Sequence, residues 1–214
     1  MSQGQVSLFI VIEGIDGAGK STFAKRLYQE LKKEGFDCLL TFEPTKEKWG
    51  KQLRLSFTSK ERLTPEEELA LFLKDRKEHL ENVIIPGLKH GRIVISDRYY
   101  YSTVAYQGAR GLNPEKILDL SKKTALTPDI CFLLVISPEE GIKRIKEGRG
   151  EDTNNFEGLD YLKKVSKIYD KMKEPEIVRL DAKRPLEELL AEAKDNIYKK
   201  IQLKKNEARE ETAR

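Results

Sequence analysis

The stretch from Glu13 to Thr22, EGIDGAGKST, decides the fold class of this chain. Its spacing fits the pattern G-x-x-x-x-G-K-[ST] at Gly14, Gly19, Lys20 and Ser21. Glycines at these positions let the backbone wrap around an anion so that successive N–H groups point inward, and a following helix adds the positive charge of its N-terminus. An apolar run precedes the stretch and a helical pattern follows it. We therefore predict a phosphate-binding loop, or P-loop, in which Lys20 reaches the outer phosphates of a nucleotide and the Ser21 hydroxyl binds Mg²⁺.

Five short apolar runs alternate with helical patterns along the chain. The runs are continuous and rich in Ile, Val and Leu, which is typical of strands buried on both faces of a parallel sheet. They span 7–13, 37–42, 92–96, 130–136 and 176–180, and the helical patterns span 20–34, 65–88, 101–123, 138–147, 158–173 and 185–204. This order predicts a three-layer α/β fold of the P-loop NTPase type, with a five-stranded parallel sheet and helices on both faces. We expect one domain over 1–214, with ligands beyond the carboxyl ends of the strands.

The chain of 214 residues is rich in charge, with 40 basic and 36 acidic residues and a net charge of +4. The charges lie in mixed-sign helical runs such as 60–82 and 187–211, which are typical of solvated helix faces. No stretch is purely basic, so we do not expect a nucleic-acid partner. The last ten residues are polar, and we expect a frayed tail over about 205–214.

The sequence does not predict a secreted or membrane protein. The N-terminus lacks a basic segment followed by a long apolar core, and no apolar run approaches the roughly 18 residues of a membrane span. Cys38 and Cys131 lie in apolar runs without neighbouring Cys or His, which favours two buried free thiols over a metal site. We therefore expect a cytoplasmic protein with no membrane partner.

The segment 95–107, ISDRYYYSTVAYQ, begins at the end of the third predicted strand. A carboxylate at the tip of a buried strand, here Asp97, is well placed to hold Mg²⁺ or its waters beside a phosphate loop. The adjacent Arg98 offers a planar fork of donors for phosphate. The alternative is that both residues only cap the following helix. The tyrosines of this segment are expected to pack in the interior.

Phe72 and Arg76 lie four residues apart in the helical run LFLKDR (71–76) and so share one helix face. A flat aromatic ring beside a guanidinium suits a base that stacks on the ring and a polar base edge that the guanidinium contacts. The alternative is that Phe72 is an ordinary core residue. His79 and His90 have no evident partner, and we expect them to be surface or helix residues.

A polar, glycine-containing break spans residues 148–157. Arg144 lies before this break, and Arg149 lies within it. Arginines on a mobile loop after the fourth strand can close over a triphosphate and offset charge in the transition state. The alternative is a solvated loop with unremarkable surface charges. We define the lid as about 144–157.

Together these strings resemble the thymidylate kinase family of P-loop enzymes, which phosphorylate dTMP to dTDP with MgATP. The resemblance runs from about residue 7 to 182 and rests on FIVIEGIDGAGKST, FEPT, LFLKDR, SDRYYYSTVAYQG, LTPDICFLLVISPEEGIKR and FEGLDYLKKV. The string D-R-Y-x-x-S-x-x-A-Y-Q after a strand is the most specific part. It separates the chain from most other nucleoside monophosphate kinases, whereas the P-loop alone does not.

The resemblance implies a role for each matching residue. ATP binding is implied for Gly14, Ile15, Asp16, Gly17, Ala18, Gly19, Lys20, Ser21, Thr22 and Arg144, the last of which packs on adenine. Binding of dTMP is implied for Asp16 at the 3′-hydroxyl, Phe72 and Arg76 at the base, Thr103 and Gln107 at the base edge, Arg54 and Arg98 at phosphate, and Glu43. Catalysis is implied for Lys20, Arg98 and Arg149, and Mg²⁺ binding for Ser21 and Asp97. The family also implies a homodimer.

The chain departs from the family pattern at three places. Many members have arginine before the Glu-Pro pair, where this chain has Phe42. The lid often contains D-R-[FI]-E, whereas 154–157 here are Asn-Asn-Phe-Glu. Position 17 is Gly, so the P-loop does not supply the arginine that it supplies in one branch of the family. The catalytic arginine is then expected from the lid, where Arg149 is the remaining candidate.

Three other functions compete with this interpretation. A nucleoside kinase needs a general base at the sugar hydroxyl, for which Glu13 or Glu43 is available. A switch GTPase needs an N-K-x-D string to bind guanine, and the sequence has none. An ATPase that binds DNA would show DNA-stimulated hydrolysis and salt-dependent affinity.

Overall fold

The computed structural model describes residues 6–149 and 158–212. Its strands are β1 (Leu8–Gly14), β2 (Cys38–Phe42), β3 (Ile93–Asp97), β4 (Ile130–Val135) and β5 (Ile177–Asp181). All five pair in parallel in one sheet of order β2-β3-β1-β4-β5. The predicted α/β fold and its five-stranded parallel sheet are confirmed.

The helices are α1 (Lys20–Lys33), α2 (Lys48–Thr58), α3 (Pro65–His79), α4 (Ile85–Lys89), α5 (Tyr100–Ala109), α6 (Pro114–Thr124), α7 (Pro138–Arg149), α8 (Leu159–Lys171) and α9 (Leu186–Thr212). A π-helical segment, Leu80–Ile84, joins α3 to α4. Each predicted helical pattern contains a helix. Within the described ranges, no helix is both long and apolar enough to cross a membrane.

Two helical predictions differ in detail from the structure. The pattern at 101–123 is two helices, because Gly111 takes a left-handed φ of 106° after α5 and the side chain of Asn113 accepts the N–H of Lys116 to cap α6. Helix α2 was not predicted. Its buried positions include glycine and serine, and the recurrence of Trp49, Leu53 and Phe57 every four residues was the available signal.

The central strand β1 is buried along its whole length and carries helices on both sheet faces. Phe132 of β4 lies beside Ile12 of β1, and its ring meets Phe23 of α1 edge to face at 6.2 Å. Phe9 lies three residues before Ile12 in the strand, so its side chain points to the opposite face of the sheet. The centre of its ring lies 5.0 Å from that of Tyr99, the residue that precedes α5. Helix α1 therefore packs on one face together with α9, and α5 packs on the other with α3, α6 and α8.

The P-loop, residues 13–22, packs backbone against backbone on α7. Gly17 has a left-handed φ of 81°, and a Cβ added there would lie 2.2 Å from the carbonyl oxygen of Gly141. A Cβ added at Gly141 would lie 2.7 Å from the carbonyl oxygen of Asp16. A side chain at position 17, arginine included, therefore does not fit unless α7 moves.

A buried carboxylate from β1 caps the N-terminus of α5. Tyr99 occupies the N-cap position but has no side-chain cap. Instead Glu13, which is fully buried, accepts the backbone N–H of Tyr99 (2.8 Å) and Ser102 (3.1 Å). It also accepts the hydroxyls of Ser102 (2.5 Å) and Tyr169 (2.9 Å). Four donors thus meet one carboxylate and hold the first turn of α5 against the end of β1.

Burial raises the pKa of Glu13 above its ordinary value of 4.5. The hydrogen bonds that it accepts and the charge of Arg98 act in the opposite direction, without cancelling the effect of burial.

Replacing Gly17 should cost more stability than replacing Gly19 in the same loop. Both have left-handed φ angles, but an added Cβ at Gly19 meets nothing within 4 Å. Gly19→Ala should lower the free energy of unfolding by about 1 kcal/mol through backbone strain alone. Gly17→Ala should cost about 1–3 kcal/mol more, since it also displaces α7. Urea denaturation measures both, and equal losses would contradict the close packing of Gly17 on Gly141.

The stability of Glu13→Gln relative to the unmodified protein should increase with pH. A carboxyl group whose pKa is raised on folding stabilises the fold fully below its unfolded pKa, here about 4.5, and this contribution is lost as pH rises through the folded pKa. Glutamine does not titrate and avoids that loss.

Glu67→Gln is the control of opposite sign, because hydrogen bonds from Thr64 lower the pKa of Glu67. Its relative stability should decrease as pH rises through about 4.5. Urea midpoints between pH 4 and 7 that move in parallel for both variants would refute the assignment.

Candidate active site

The P-loop holds a buried lysine inside its own backbone. The ammonium of Lys20 donates to the carbonyl oxygen of Ile15 at 2.7 Å and lies 3.9 Å from Oδ1 of Asp16. Burial, with the nearby charge of Arg98, lowers the pKa of Lys20 to about 8. A bound phosphate would supply the anion that favours the charged form. Lys20 is therefore positioned for the phosphate role that the sequence predicts.

Ser21 and Asp97 meet although they lie far apart in the chain. Oγ of Ser21 donates to Oδ2 of Asp97 at 2.5 Å, which joins the start of α1 to the end of β3. Oδ1 of Asp97 is buried without a hydrogen-bond partner among the described residues. A hydroxyl and a carboxylate with a free oxygen are the ligands that Mg²⁺ prefers, and one or two such groups suffice when phosphates and waters complete the shell. The residues present therefore fit Mg²⁺.

Arg98 occupies a strained position between the P-loop and α5. It has a left-handed φ of 72°, unusual for a residue other than glycine, and its N–H donates to Ile12 at 2.9 Å. Its guanidinium forms an ion pair with Asp16, donates to Oγ of Ser102 at 3.1 Å and lies 5.1 Å from the centre of the Tyr106 ring. This backbone conformation aims the arginine across the mouth of the P-loop.

The ion pair keeps Asp16 charged. Burial alone would raise the pKa of Asp16, but the charges of Arg98 and Lys20 outweigh it, and the pKa is lowered. The side chain of Asp16 is therefore an ionised carboxylate at neutral pH.

A cavity of about 150 Å³ opens beside the P-loop. Five predicted substrate residues line it: Asp16, Glu43, Phe72, Arg76 and Arg98. Phe57 of α2 and Tyr106 of α5 also line it. The rings of Phe57 and Phe72 lie 6.3 Å apart at 29°, nearly parallel. The lining thus combines flat apolar surface with two arginines, Arg76 and Arg98.

Phe57 was missed by the sequence analysis because α2 itself was not predicted. Tyr106 was assigned to packing, and it both packs and lines the cavity.

Arg76 is the most constrained side chain of this wall. It is only 2% exposed, and its Nε and Nη2 donate to Oε2 of Glu43 at 3.0 and 2.8 Å. Nη2 also donates to Oγ1 of Thr103 at 2.8 Å. Nη1 is buried without a hydrogen-bond partner among the described residues. The two N–H groups of Nη1 are therefore the donors that Arg76 has left to offer a ligand.

His79 is a helix residue, as one of the two expectations from sequence has it, but it has partners that the sequence did not reveal. It is buried, its Nδ1 lies 3.0 Å from Oε1 of Glu43, and its Nε2 lies 2.7 Å from Oγ1 of Thr41. The histidine thus holds the carboxylate that holds Arg76. Its spacing of three residues from Arg76, on the same helix, was the available signal.

Thr103 and Gln107 lie one turn apart on α5 and are both buried. Thr103 accepts from Arg76, and Nε2 of Gln107 donates to Oε2 of Glu68 at 2.9 Å. Neither residue is part of the lining of the 150 Å³ cavity, but each directly follows a residue that is, Ser102 and Tyr106. Their predicted contacts to a base edge stay predictions.

The side chain of Arg54 is bound to backbone carbonyl oxygens of its own chain. Its guanidinium donates to the carbonyl oxygens of Pro44 and Thr45 and lies 5.9 Å from the ring of Phe42, which is 38% exposed at the end of β2. Arg54 therefore holds the turn after β2 and does not line the cavity.

The lid is described only in part. Arg144 donates to Oε1 of Glu140 (3.0 Å) and to the carbonyl oxygen of Ala182 (3.1 Å), which places it between α7 and the end of β5. The backbone of Arg149 ends α7, and its side chain lies outside the described part of the chain, as do residues 150–157. The predicted role of Arg149 stays a prediction.

Comparison with known proteins identifies the family of this chain. A sequence model described as thymidylate kinase matches residues 12–193, which include the P-loop and every cavity residue named above. The thymidylate kinase of Desulfotalea psychrophila is 46% identical over 173 residues, 81% of this chain and 85% of that protein. The probable thymidylate kinase of Archaeoglobus fulgidus is 42% identical over 199 residues, 93% of this chain and 99% of that protein. The thymidylate kinase of Brachyspira hyodysenteriae is 44% identical over 175 residues, 82% of this chain and 85% of that protein. The chain belongs to the thymidylate kinase family.

Proposed function

We propose that this protein is a dTMP kinase, which transfers the γ-phosphoryl group of ATP to dTMP to give dTDP and ADP for dTTP synthesis, and that residues 1–214 form one kinase domain. One observation carries the proposal. A cavity beside the P-loop combines a charged arginine near the loop, Arg98, with an aromatic surface and a free guanidinium donor on Arg76. Family membership supports the same activity.

The donor nucleotide binds at the P-loop. Backbone N–H groups of 14–22, the N-terminus of α1 and Lys20 surround its phosphates. Arg144, which lies between α7 and the end of β5, packs on adenine. Ser21 and Asp97 hold Mg²⁺, which supplies neutralising charge to the phosphates when bound.

The acceptor binds in the 150 Å³ cavity. Phe72, with Phe57 nearly parallel to it, provides the surface on which thymine stacks. Nη1 of Arg76, which has no hydrogen-bond partner within the described part of the chain, donates to a carbonyl oxygen of the base. Asp16 contacts the 3′-hydroxyl of the sugar, and Arg98 lies between the acceptor and donor phosphates. Glu43 and Arg54 contribute by holding Arg76 and the turn after β2, respectively.

Catalysis relies on position and charge. An oxygen of the dTMP phosphate is ionised at neutral pH, so it attacks the γ-phosphorus in line without a general base. Lys20 and Arg98 stabilise the charge that spreads over the transferred group, and Arg149 is the proposed lid contribution. Closure of the lid excludes water, which competes as an acceptor.

A nucleoside kinase is the nearest alternative, and the geometry does not favour it. Glu13 is buried under four donors, and the carboxylate of Glu43 is bonded to Arg76 and His79. Neither carboxylate is available to take a proton from a sugar hydroxyl. The structure therefore supports an acceptor that is already ionised.

Two further properties are proposed from the family. The protein acts as a homodimer with small-molecule nucleotides as its other partners, and it is cytoplasmic.

An acceptor panel with MgATP tests the proposed reaction and the base choice together. We expect turnover of dTMP to exceed that of thymidine, CMP and AMP. Some turnover of dUMP is expected, because a pocket distinguishes a single methyl group by only about 1–3 kcal/mol. Coupled detection of ADP measures each rate. Preference for thymidine would establish a nucleoside kinase, and preference for CMP or AMP would refute the thymine assignment.

Lys20→Ala should reduce kcat with dTMP at least about 100-fold, because the variant loses a preorganised cation at the transferring phosphate. Lys25→Ala is the matched control on the same helix, since Lys25 is exposed and we assign it no role. Steady-state kinetics at saturating ATP and dTMP measure the effect. Near-normal turnover by the Lys20 variant would rule out the proposed mechanism.

A further inference from the structure

Ser102 lines the cavity beside the P-loop and holds one end of the guanidinium of Arg98. Nη1 of Arg98 donates to Oγ of Ser102 at 3.1 Å, and Nη2 forms the ion pair with Asp16 at the other end. The left-handed backbone of Arg98 fixes where its side chain begins, but a long flexible side chain leaves the position of the charged group open. The contacts of the guanidinium therefore decide where the charge lies.

The proton of the Ser102 hydroxyl points away from Arg98. A serine hydroxyl has a single proton to donate and lone pairs with which to accept. Oγ of Ser102 donates to Oε2 of Glu13 at 2.5 Å, so the proton is used there and the lone pairs are left for other partners. Because a guanidinium can only donate, an acceptor is what Arg98 requires. Glu13 thus makes the serine an acceptor for the arginine.

The oxygen of Ser102 is fixed in place by further contacts. The backbone N–H of Ser102 donates to Oε1 of Glu13 at 3.1 Å. The hydroxyl of Tyr169 lies 3.1 Å from Oγ of Ser102 and donates to Oε2 of Glu13 at 2.9 Å. Glu13 is fully buried, and Tyr169 and Ser102 are 3% and 8% exposed. Hydrogen bonds to a carboxylate are strong away from water, so the acceptor offered to Arg98 has little freedom to move.

These contacts tie Arg98 to the strand that carries the P-loop. Glu13 belongs to β1, which leads directly into the glycines of the loop. Asp16, in contrast, is proposed to contact the sugar of the acceptor and then has a second partner. An arginine that lies between two phosphates benefits from an anchor whose proton is already used, because charge that is fixed in advance stabilises the transition state without reorganisation.

We propose that Ser102 is a positioning residue that holds Arg98 at the phosphates, with Glu13 directing its hydroxyl. The inference rests on the proposed function, in which Arg98 lies between the acceptor and donor phosphates. Ser102 acts through Arg98, and its effect on the reaction requires no contact with the substrate.

A double-mutant cycle tests the proposal through kcat at saturating MgATP and dTMP. Ser102→Ala should lower kcat about tenfold and change the KM for dTMP less than about threefold, because a misplaced charge affects the transition state more than the ground state. Alanine keeps the backbone N–H that Glu13 accepts and favours a helix, so the first turn of α5 is retained. In an Arg98→Ala background the same replacement should cost less than about twofold, since the group that it positions is gone.

Tyr169→Phe is the matched control within the same network. It removes one hydroxyl from Glu13 but keeps the bond from Ser102 to Glu13 and that from Arg98 to Ser102. Its kcat should stay within about twofold of the unmodified value. An equal loss of kcat in Tyr169→Phe and Ser102→Ala would overturn the proposal, because it would indicate the packing of α8 on α5 and not the position of Arg98. Equal effects of Ser102→Ala in both backgrounds would overturn it as well.

NMR of protein labelled at its arginine nitrogens follows the guanidinium without relying on turnover. The Nη signals of Arg98, identified by their loss in Arg98→Ala, should show slow rotation in the unmodified protein and in Tyr169→Phe, and faster rotation in Ser102→Ala. Fast rotation in the unmodified protein would overturn the proposal even if the Ser102 variant did not fold, and so would rotation that Ser102→Ala leaves unchanged. A protein that shows the expected signals but does not phosphorylate dTMP would contradict the proposed function alone.

Discussion

The four hydrogen bonds received by the buried carboxylate of Glu13 are the interaction on which the site depends. They attach the first turn of α5 to the end of the central strand β1, immediately before the P-loop. Helix α5 carries Ser102 and Tyr106, which line the cavity, and Thr103, which accepts a hydrogen bond from Arg76. Arg98 immediately precedes the N-cap of this helix. The same contact thus sets the distance between the phosphate loop and the acceptor cavity. Because a helix N-terminus needs acceptors for its first N–H groups, a glutamate from another element can place a whole helix.

Glu43 and Glu68 act by the same physical principle. Each is buried, and each meets more than one donor: Glu43 meets Arg76 and His79, and Glu68 meets Arg62 and Gln107 among others. A side chain that meets several donors at once fixes the orientation of those neighbours. Among the described residues, these contacts leave Nη1 of Arg76 and Oε1 of Gln107 without a hydrogen-bond partner. The buried charges are therefore better understood as determinants of geometry than of stability.

The contact between Gly17 and Gly141 joins the P-loop to helix α7. Helix α7 begins at Pro138 and ends at Arg149, so the P-loop abuts a helix whose last turns belong to the segment 144–157 that we propose as the lid. Backbone packed on backbone leaves little room for relative movement. It also explains the absence of an arginine at position 17, since a side chain there would collide with α7.

The sequence by itself determined the sheet, the P-loop and the groups that flank it. Continuous apolar runs and a glycine pattern are local signals, because burial on both strand faces and left-handed φ angles constrain residue type directly. The pairing of Ser21 with Asp97 was also predictable in outline, since parallel strands end at one edge of the sheet. The polar contacts of Arg76, His79 and Gln107 were decided only by the tertiary structure. Their partners lie 27 to 39 residues away in the chain, on elements whose approach depends on crossovers and helix packing. A sequence shows which donors and acceptors exist, but the packing of α3 against α5 decides which are satisfied and which are left for a ligand.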